Sequence, residues 1–343
     1  ELSRTARQFL DRSSGPEQVR VVVENPGDPD EDAAIWKQIV DMGWTGIHVP
    51  EELGGAGAGY DALAVILHEM GRHLTTSPYL ASSVLATEAL LRAPKREAAA
   101  RYLPRLVAGE IRAAVRLPAQ PLVLDAAGAD LLIEEIDSGQ IVAIEEFSCT
   151  PVPTVDRTRR LYEVQSDGPP AALLAEAGGS GEGLMQRVAA SGSIAAAADA
   201  AGAAERITEL TTEYAKNRVQ FGKPIGSFQA VKHHCADMVI AVEASRAAVR
   251  AAFEALGDPE GEALLAADIA SSYCGPACSR VCGLAVQVHG GIGFTWEHDA
   301  HLFMKRAKLD ESLFGTPLWH RRRMAATVFP TIADTWAGRL GPQ

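Results

Sequence analysis

The spacing of apolar residues changes twice along this chain, and the two changes divide it into three parts. Before about residue 110, apolar residues recur every three to four positions, and glycines such as Gly43 and Gly109 follow the last of them, as at helix ends. Short, partly alternating runs separated by Gly, Pro, Asp and Ser come next, which is typical of strands. Long segments with helical spacing return after about residue 179. The pattern predicts a mainly α protein with a small antiparallel β unit in its middle.

The predicted elements are short in the first two parts and long in the third. Helices are predicted over 32–42, 61–71, 82–91 and 96–108, and the segment 47–50 is predicted to be extended because Pro50 disfavours a helical residue before it. Strands are predicted over 113–117, 122–124, 130–136, 141–146 and 161–164. The glycine-rich stretch 178–181 is predicted to be a linker, and helices are predicted over 184–219, 223–256, 260–289, 299–313 and 319–337. The expected domains are therefore 1–110, 111–178 and 179–343.

Composition excludes several classes of protein. The 343 residues carry a formal net charge of −12, which disfavours sequence-independent binding of nucleic acid because that requires a basic surface. No apolar run reaches the ~18–20 residues that span a bilayer. The start of the sequence lacks a signal-peptide pattern, so a cytoplasmic location is expected. Cys274, Cys278 and Cys282 lie on one helix face, and buried apolar thiols are favoured over a metal site.

The segment from Arg218 to Gln229 reads RVQFGKPIGSFQ and is a candidate anion site. It joins two predicted helices, and Gly222 and Pro224 turn the chain between them. A guanidinium at such a corner presents a planar fork that matches phosphate oxygens. The alternative is a solvated arginine in an ordinary helical hairpin, and the segment by itself does not separate the two.

The segment from Gln287 to Thr295 reads QVHGGIGFT and contains a glycine-rich turn. Consecutive glycines allow a backbone to approach a ligand closely. The turn follows a helix rather than a strand, so it is not the nucleotide-binding turn of a Rossmann unit. His289 is interpreted as a packing or capping residue, with a general base as the alternative.

Together the two segments resemble the acyl-CoA dehydrogenase family. R-x-Q-F-G-x-x-I matches at 218–225 and Q-x-H-G-G-x-G at 287–293, and the stretches 43–55 and 69–72 are also similar. The stretch 293–299, GFTWEHD, is similar to an actinobacterial branch that acts on sterol and other bulky acyl-CoA thioesters. The resemblance covers roughly residues 1–112 and 179–330. It implies an N-terminal helical domain, a reduced middle β domain and a C-terminal four-helix bundle.

The resemblance also implies a cofactor. In that family FAD lies between two subunits, and each subunit contributes to the site of its mate. By resemblance, Arg218 would contact the pyrophosphate of the mate's FAD. The other residues implied at that shared site are Gln220, Phe221, Ile225, Phe228, Gln287, Gly290 and Gly291.

Two departures from the family pattern concern this chain's own chemistry. The flavin-binding T-E-P and G-S-D loops and the W-I-T-like strand are not found between residues 111 and 178. The family's Y-E-G-T glutamate is replaced by Phe314 in Leu-Phe-Gly-Thr, and a phenyl ring cannot accept a proton. The alternative base position, on the first bundle helix at 191–194, has no carboxylate. Asp199 and Glu205 are weak candidates on that helix.

These gains and losses predict a non-catalytic subunit. The resemblance implies that the assembly is an α2β2 heterotetramer with a full-length homologue. This complex would desaturate an acyl-CoA with shared FAD and pass electrons to an electron-transfer flavoprotein. One alternative is a self-sufficient homo-oligomeric dehydrogenase with a relocated base. The other is a flavin-free scaffold or acyl-CoA-binding protein. No residue of this chain is expected to be catalytic, and no metal is expected.

Overall fold

Helices dominate the fold, and a small β region interrupts them. The computed structural model describes residues 1–25, 32–118, 120–258 and 262–329. Before residue 111 the helices are α1 Leu2–Ser13, α2 Pro16–Glu24, α3 Ala33–Asp41, α4 Gly59–Arg72, α5 Thr87–Arg92 and α6 Arg96–Val107. A π-helical segment, Leu80–Ala86, leads directly into α5. Gly43, which follows α3, has φ +69, a conformation that glycine adopts at little cost at a helix end.

The β region contains two small sheets. Its strands are β1 Ala113–Arg116, β2 Val123–Leu124, β3 Leu131–Glu135, β4 Ile141–Ile144, β5 Phe147–Val152, β6 Leu161–Ser166 and β7 Ala172–Ala175. One sheet has the order β1-β3-β4-β7 and the other the order β2-β6-β5. Every residue of β4 is buried, whereas β5 is largely exposed. The first sheet therefore supplies the core of this region.

Long helices form the last part of the chain. They are α7 Gly179–Asn217, α8 Gln229–Gly257, α9 Ala263–His289, α10 Ala300–Asp310 and α11 Pro317–Val328. The short strands β8 Val219–Gln220 and β9 Lys223–Pro224 separate α7 from α8. One large hydrophobic core includes residues from the N-terminal helices, the first sheet and these long helices.

Helices α4 and α7 cross at a distance that only glycine permits. A Cβ at Gly202 would lie 1.9 Å from the carbonyl oxygen of His68, and a Cβ at Gly71 would lie 2.0 Å from the carbonyl oxygen of Asp199. Each glycine thus faces the backbone of the other helix. This crossing fixes the N-terminal helices against α7, the helix that carries Arg218 at its end.

The mainly α fold with a small β region is confirmed, but several local predictions are wrong. Strands β1 and β3 pair in parallel, because β2 between them leaves for the other sheet and the chain returns in the same direction. The stretch 178–181 is not a free linker, since α7 begins at Gly179. Lys223 lies in a strand rather than in α8, and residues 47–49 form turns. The predicted helix 319–337 is described only as far as Val328.

Candidate functional site

The first motif, residues 218–229, forms an exposed hairpin between α7 and α8. Arg218 is the residue that ends α7, and its backbone N–H donates to the carbonyl of Tyr214 at 2.8 Å. Phe221 and Gly222 have φ +53 and +76, the left-handed pair that a two-residue hairpin turn requires. The N–H of Ile225 donates to the carbonyl of Arg218 at 2.8 Å and closes the corner. The turn residues foreseen in the sequence therefore do bend the chain at Arg218.

The side chains of this hairpin are largely exposed, and they form few contacts with the rest of the described chain. Among the described residues, none forms a hydrogen bond or ion pair with the guanidinium of Arg218. The ring of Phe221 is 90% exposed, and its edge meets the ring of Phe228 with 6.1 Å between centroids. Lys223 Nζ lies 4.5 Å from the centroid of Phe228. Lys223 is a second cation at the corner that sequence reasoning did not single out, although it lies inside the motif.

The second motif forms an open turn at the end of α9. Gly290 has φ +65, and no atom lies within 4 Å of a Cβ placed on Gly290 or on Gly291. Gln287, on the last turn of α9, is exposed. The backbone of the turn therefore borders free space, and a ligand could approach it closely.

Ring stacking joins the two motifs. Tyr214, one turn before Arg218, stacks on His289 with 4.5 Å between ring centroids, and His298 packs on His289 at 4.3 Å. His289 Nδ1 donates to the carbonyl of Ala285 at 2.8 Å. Burial lowers the pKa of His289, so the neutral ring is favoured. These contacts fit the packing interpretation of His289, and they hold the end of α7 against the glycine turn.

The groups on these two turns are of the kinds that can bind the diphosphate and flat rings of a dinucleotide. Arg218 and Lys223 supply positive charge, the glycines leave the backbone accessible, and Phe221 offers an exposed aromatic face. The residues that the resemblance implies for FAD thus lie on two turns linked by the Tyr214–His289 stack: Arg218, Gln220, Phe221, Ile225 and Phe228 on the first, and Gln287, Gly290 and Gly291 on the second.

The position at which the resemblance implies a base is filled by hydrocarbon. Phe314 is buried, and a Cβ placed on Gly192 of α7 would lie 2.7 Å from Phe314 Cε1. Residue 314 and the stretch 191–194, the two positions at which the resemblance implies a base, are therefore in contact. A phenyl ring against a glycine occupies this place, and neither group can accept a proton.

A largely apolar cleft of about 570 Å³ lies beside Phe314, between the β region and α7 and α11. Two of its polar side chains are engaged with their own chain. The amide of Gln120 donates to the carbonyl of Leu313, and the hydroxyl of Thr316 accepts from Trp319 N–H at 3.2 Å. The cleft has room for a flat ring, and these contacts use one N–H of the Gln120 amide and one lone pair of the Thr316 hydroxyl. Glu135, at the end of β3, adds a carboxylate to the lining that sequence reasoning missed.

The two weak base candidates are both engaged in ion pairs away from this cleft. Arg306 holds Asp199 with two hydrogen bonds, of 2.8 and 3.1 Å, and lowers the pKa of Asp199 against the opposing effect of burial. Glu205 pairs with His68 at 2.5 Å and lies 3.4 Å from Arg72, and its pKa is lowered to about 2. Carboxylates so stabilised in the charged form are weak bases. Neither borders the cleft beside Phe314.

The three stacked cysteines are buried thiols. Cys274 and Cys278 donate to the carbonyl and hydroxyl oxygens of Ser245, at 3.6 and 3.7 Å. Burial raises the pKa of Cys274 and of Cys282 to about 12. Their packing is that of small apolar residues.

Within the described residues, no helix is long and apolar enough to cross a membrane.

Comparison with known proteins supports the resemblance. The model "Acyl-CoA dehydrogenase, N-terminal domain" matches residues 1–110, and "Acyl-CoA dehydrogenase, C-terminal domain" matches residues 179–329. The chain is 37% identical to acyl-CoA dehydrogenase IpdE2 of Mycobacterium tuberculosis over 329 residues, which cover 96% of both proteins.

Solved structures share the fold over nearly the whole chain. A variant of the Tcur3481-Tcur3483 steroid acyl-CoA dehydrogenase has a TM-score of 0.85 at 25% identity, covering 97% of this chain and 98% of that one. Butyryl-CoA dehydrogenase of Megasphaera elsdenii has a TM-score of 0.87 at 22% identity, covering 95% and 97%, which shows the common fold alone.

Proposed function

The chain belongs to the acyl-CoA dehydrogenase family of oxidoreductases, and from this premise we propose that it is the non-catalytic subunit of an FAD-dependent acyl-CoA dehydrogenase complex. In the proposal its partner is a full-length homologue, and the two form an α2β2 heterotetramer. The chain contributes its hairpin and glycine turn to the FAD of that partner. In this proposal the domains of the chain are 1–110, 111–178 and 179–343, and its location is the cytoplasm.

The contrast between two regions of the chain carries this proposal. The features that would serve a mate's FAD are exposed: Arg218, Lys223, whose ammonium lies over the ring of Phe228, and the Gly290–Gly291 backbone. The place that would supply this chain's own base lacks a proton acceptor, because Phe314 packs there against Gly192. A homodimer would then lack a base at both sites. A pair of unlike chains would have one complete site.

In this proposal the residues of this chain bind FAD and take no part in breaking the C–H bonds of the substrate. Arg218, with Lys223 beside it, would neutralise the diphosphate, and Phe221 and Phe228 would cover one face of the bound rings. Gln287, Gly290 and Gly291 would complete the surface from the other motif. Bound FAD supplies a hydride acceptor for α,β-desaturation of an acyl-CoA. The carboxylate that removes the α-proton lies in the partner chain in this proposal.

The substrate and the electron acceptor are further parts of the proposal. We propose a bulky acyl-CoA, such as a steroid thioester, because the stretch 293–299 resembles the sterol branch and the fold matches that of the Tcur3481-Tcur3483 steroid acyl-CoA dehydrogenase. An electron-transfer flavoprotein is the proposed acceptor, as the family implies.

Counting flavin in the assembled complex tests the proposal. The chain is co-expressed with a full-length homologue, and flavin absorbance is compared with the amount of each chain. We expect one FAD for each pair of unlike chains. One FAD per chain would favour a self-sufficient enzyme, and a stable complex without flavin would favour the scaffold alternative. Either result would refute the proposal.

One observation favours the self-sufficient alternative, namely the carboxylate of Glu135 on the cleft beside Phe314. A Glu135→Gln variant separates the two. If the chain is non-catalytic, the complex keeps its kcat, as it should in the control Glu163→Gln on an exposed strand position. If Glu135 is a relocated base, kcat falls at least a hundredfold in Glu135→Gln alone.

A further inference from the structure

A cluster of five buried charged side chains lies where three regions of the chain meet. Its members are Asp156 and Arg159 from the β5–β6 connection, Asp199 from α7, and Arg306 and Asp310 from α10. Their side chains are between 0 and 7% exposed. None of these contacts belongs to the FAD surface or to the cleft beside Phe314.

The two arginines connect the regions directly. Arg306 donates to both oxygens of Asp199, to the hydroxyl of Thr158 at 2.6 Å and to the carbonyl of Thr75 at 3.0 Å. Arg159 donates to Asp310 at 3.0 Å and lies 3.3 Å from Asp199. The N-terminal helices, the β region and the bundle thus share one hydrogen-bonded network.

The charges of this cluster do not balance unless it holds a proton. Three carboxyl groups face two guanidinium groups, so full ionisation would leave one uncompensated negative charge in a buried place, which is costly. Asp199 and Asp310 face the same two guanidinium groups, because Arg159 lies 3.3 Å from Asp199 and 3.0 Å from Asp310, and Arg306 lies 2.8 Å from Asp199 and 3.9 Å from Asp310. Their two negative charges would therefore be close together, which favours a proton on one of them. Asp199 already accepts two hydrogen bonds from Arg306, and Asp156 Oδ1 accepts two from Thr158. Asp310 accepts one, from Arg159, and its Oδ2, like that of Asp156, has no hydrogen-bond partner within the described part of the chain.

Asp310 is the carboxyl group placed to carry that proton. A cavity of about 10 Å³, close to the size that one water molecule needs, lies beside it and is also lined by Ser193, Ser271 and His320. Burial and the neighbouring Asp199 raise the pKa of Asp310, and the two arginines oppose that rise. The other groups that face Asp310 from the packed elements are Asp156, Glu311, Cys278, Cys282 and His320.

We propose that the Asp199–Asp310 pair is a buried proton-binding site, with its single proton on Asp310, and that this proton keeps the β5–β6 connection docked on the bundle. Loss of the proton leaves two adjacent carboxylates and one excess negative charge beside Arg159. The connection 153–160 is then expected to open first, because it contributes Asp156, Thr158 and Arg159 to the network. The inference does not depend on the function proposed above.

The sign of the pH dependence follows from the raised pKa. In the unfolded chain Asp310 releases its proton near its ordinary pKa of about 3.9, whereas in the folded chain it retains the proton to a higher pH. Folding therefore takes up a proton between these two values, and the stability that Asp310 contributes falls as the pH rises through this window. An Asp310→Asn variant keeps a hydrogen-bond donor and cannot ionise, so it lacks this loss.

Thermal unfolding of the full chain, alone or in its complex, tests the proposal from about pH 5 to about pH 9. We expect the Tm of Asp310→Asn minus that of the wild type to rise steadily with pH. Glu311→Gln, the neighbouring control whose carboxylate has a lowered pKa, should show a constant difference over this range. Asp199→Asn should lower Tm at every pH, because it removes the acceptor that Arg306 holds in two hydrogen bonds. A constant or falling difference for Asp310→Asn would overturn the proposal.

Two further measurements on the wild type keep the proposal testable if Asp310→Asn does not fold. Infrared spectroscopy should show the carbonyl stretch of a protonated carboxylic acid at neutral pH, and its absence would refute the buried proton. Hydrogen exchange, corrected for its intrinsic pH dependence, should show residues 153–160 losing protection with rising pH while α4 does not. If residues 153–160 and α4 changed their protection equally with pH, the proposal that the proton keeps the β5–β6 connection docked would be refuted.

Discussion

At the scale of single residues, exposure distinguishes the side chains that are available to a ligand from those that stabilise the fold. Arg218 is an exposed cation without a partner among the described residues, whereas Arg306 is a buried cation with both ends of its guanidinium engaged. The first is available to a ligand and the second holds the fold together. The same distinction applies to Phe221, which is exposed at the hairpin, and Phe314, which is buried against Gly192.

Arg218→Ala should weaken FAD retention by the complex without unfolding it. Loss of a charge-assisted hydrogen bond to phosphate costs on the order of 1.5–3 kcal/mol, or roughly ten- to a hundredfold in affinity. Arg218→Lys should recover only part of this affinity, because an ammonium lacks the planar fork. Fluorescence titration of FAD into the stripped complex measures both variants. Unchanged affinity in Arg218→Ala would mean that the cofactor lies elsewhere.

Phe314→Glu should not restore catalysis. The new carboxylate would lie against Gly192 in a place filled by hydrocarbon, and burying an unpaired carboxylate there costs stability. The measurement is dehydrogenation by a complex in which the partner's catalytic carboxylate has been removed and Phe314→Glu is present. Recovered turnover would show that this chain has a competent flavin site of its own, which would contradict the heteromer proposal.

At the scale of elements, the position of α7 relative to its neighbours organises the molecule. Its middle crosses α4 through the glycine pair Gly71 and Gly202, and its end carries Arg218 to the glycine turn after α9. Its first half supplies Gly192, on which Phe314 packs. One helix of 39 residues therefore connects the core, the closed base position and the exposed hairpin.

Gly202→Ala should destabilise the protein strongly, whereas Gly183→Ala on the same helix should not. A Cβ at Gly202 would lie 1.9 Å from the carbonyl oxygen of His68, and backbone cannot move aside cheaply. We expect a loss of about 3 kcal/mol or more in the free energy of unfolding. Gly183 has open space, so alanine there should gain up to ~1 kcal/mol from helix propensity. Chemical denaturation measures both, and equal stabilities would refute the close crossing.

At the scale of the whole molecule, exposed apolar side chains lie on several surfaces of the bundle. Ile240 of α8 is 67% exposed and Phe294, after the glycine turn, is 79% exposed, and Ile269 and Tyr273 of α9 are also exposed. Such surfaces promote association unless a partner covers them. The net charge of −12 opposes association but does not remove the apolar area.

The heteromer proposal predicts that the chain expressed alone is colourless and poorly soluble, and that co-expression with the full-length homologue corrects both properties. The physical reason is that the exposed apolar side chains of the bundle would be buried only in the complex. Size-exclusion chromatography with light scattering and a flavin absorbance spectrum measure the outcome. A monodisperse chain that purifies alone with stoichiometric flavin would contradict this expectation.

Local spacing determined much of the fold. Helical periodicity predicted the long helices of the bundle, and glycine at residue 43 correctly marked a helix end, because these signals depend on neighbouring residues alone. The predictions of a linker at 178–181 and of a helix beginning at residue 223 were wrong, because helix boundaries depend on packing as well as on propensity. The parallel pairing of β1 with β3 depends on topology, which periodicity does not encode.

For the candidate site, the sequence by itself determined which residue types are present and which are missing. It supplied the Arg218 and Gly290 motifs and the phenylalanine at 314, because motifs are read along the chain. Only the tertiary structure decided that Tyr214 and His289 join the two motifs, that Phe314 meets Gly192, and that Asp199 pairs with Arg306 107 residues away. These contacts join residues far apart in sequence, and they form only when whole helices pack.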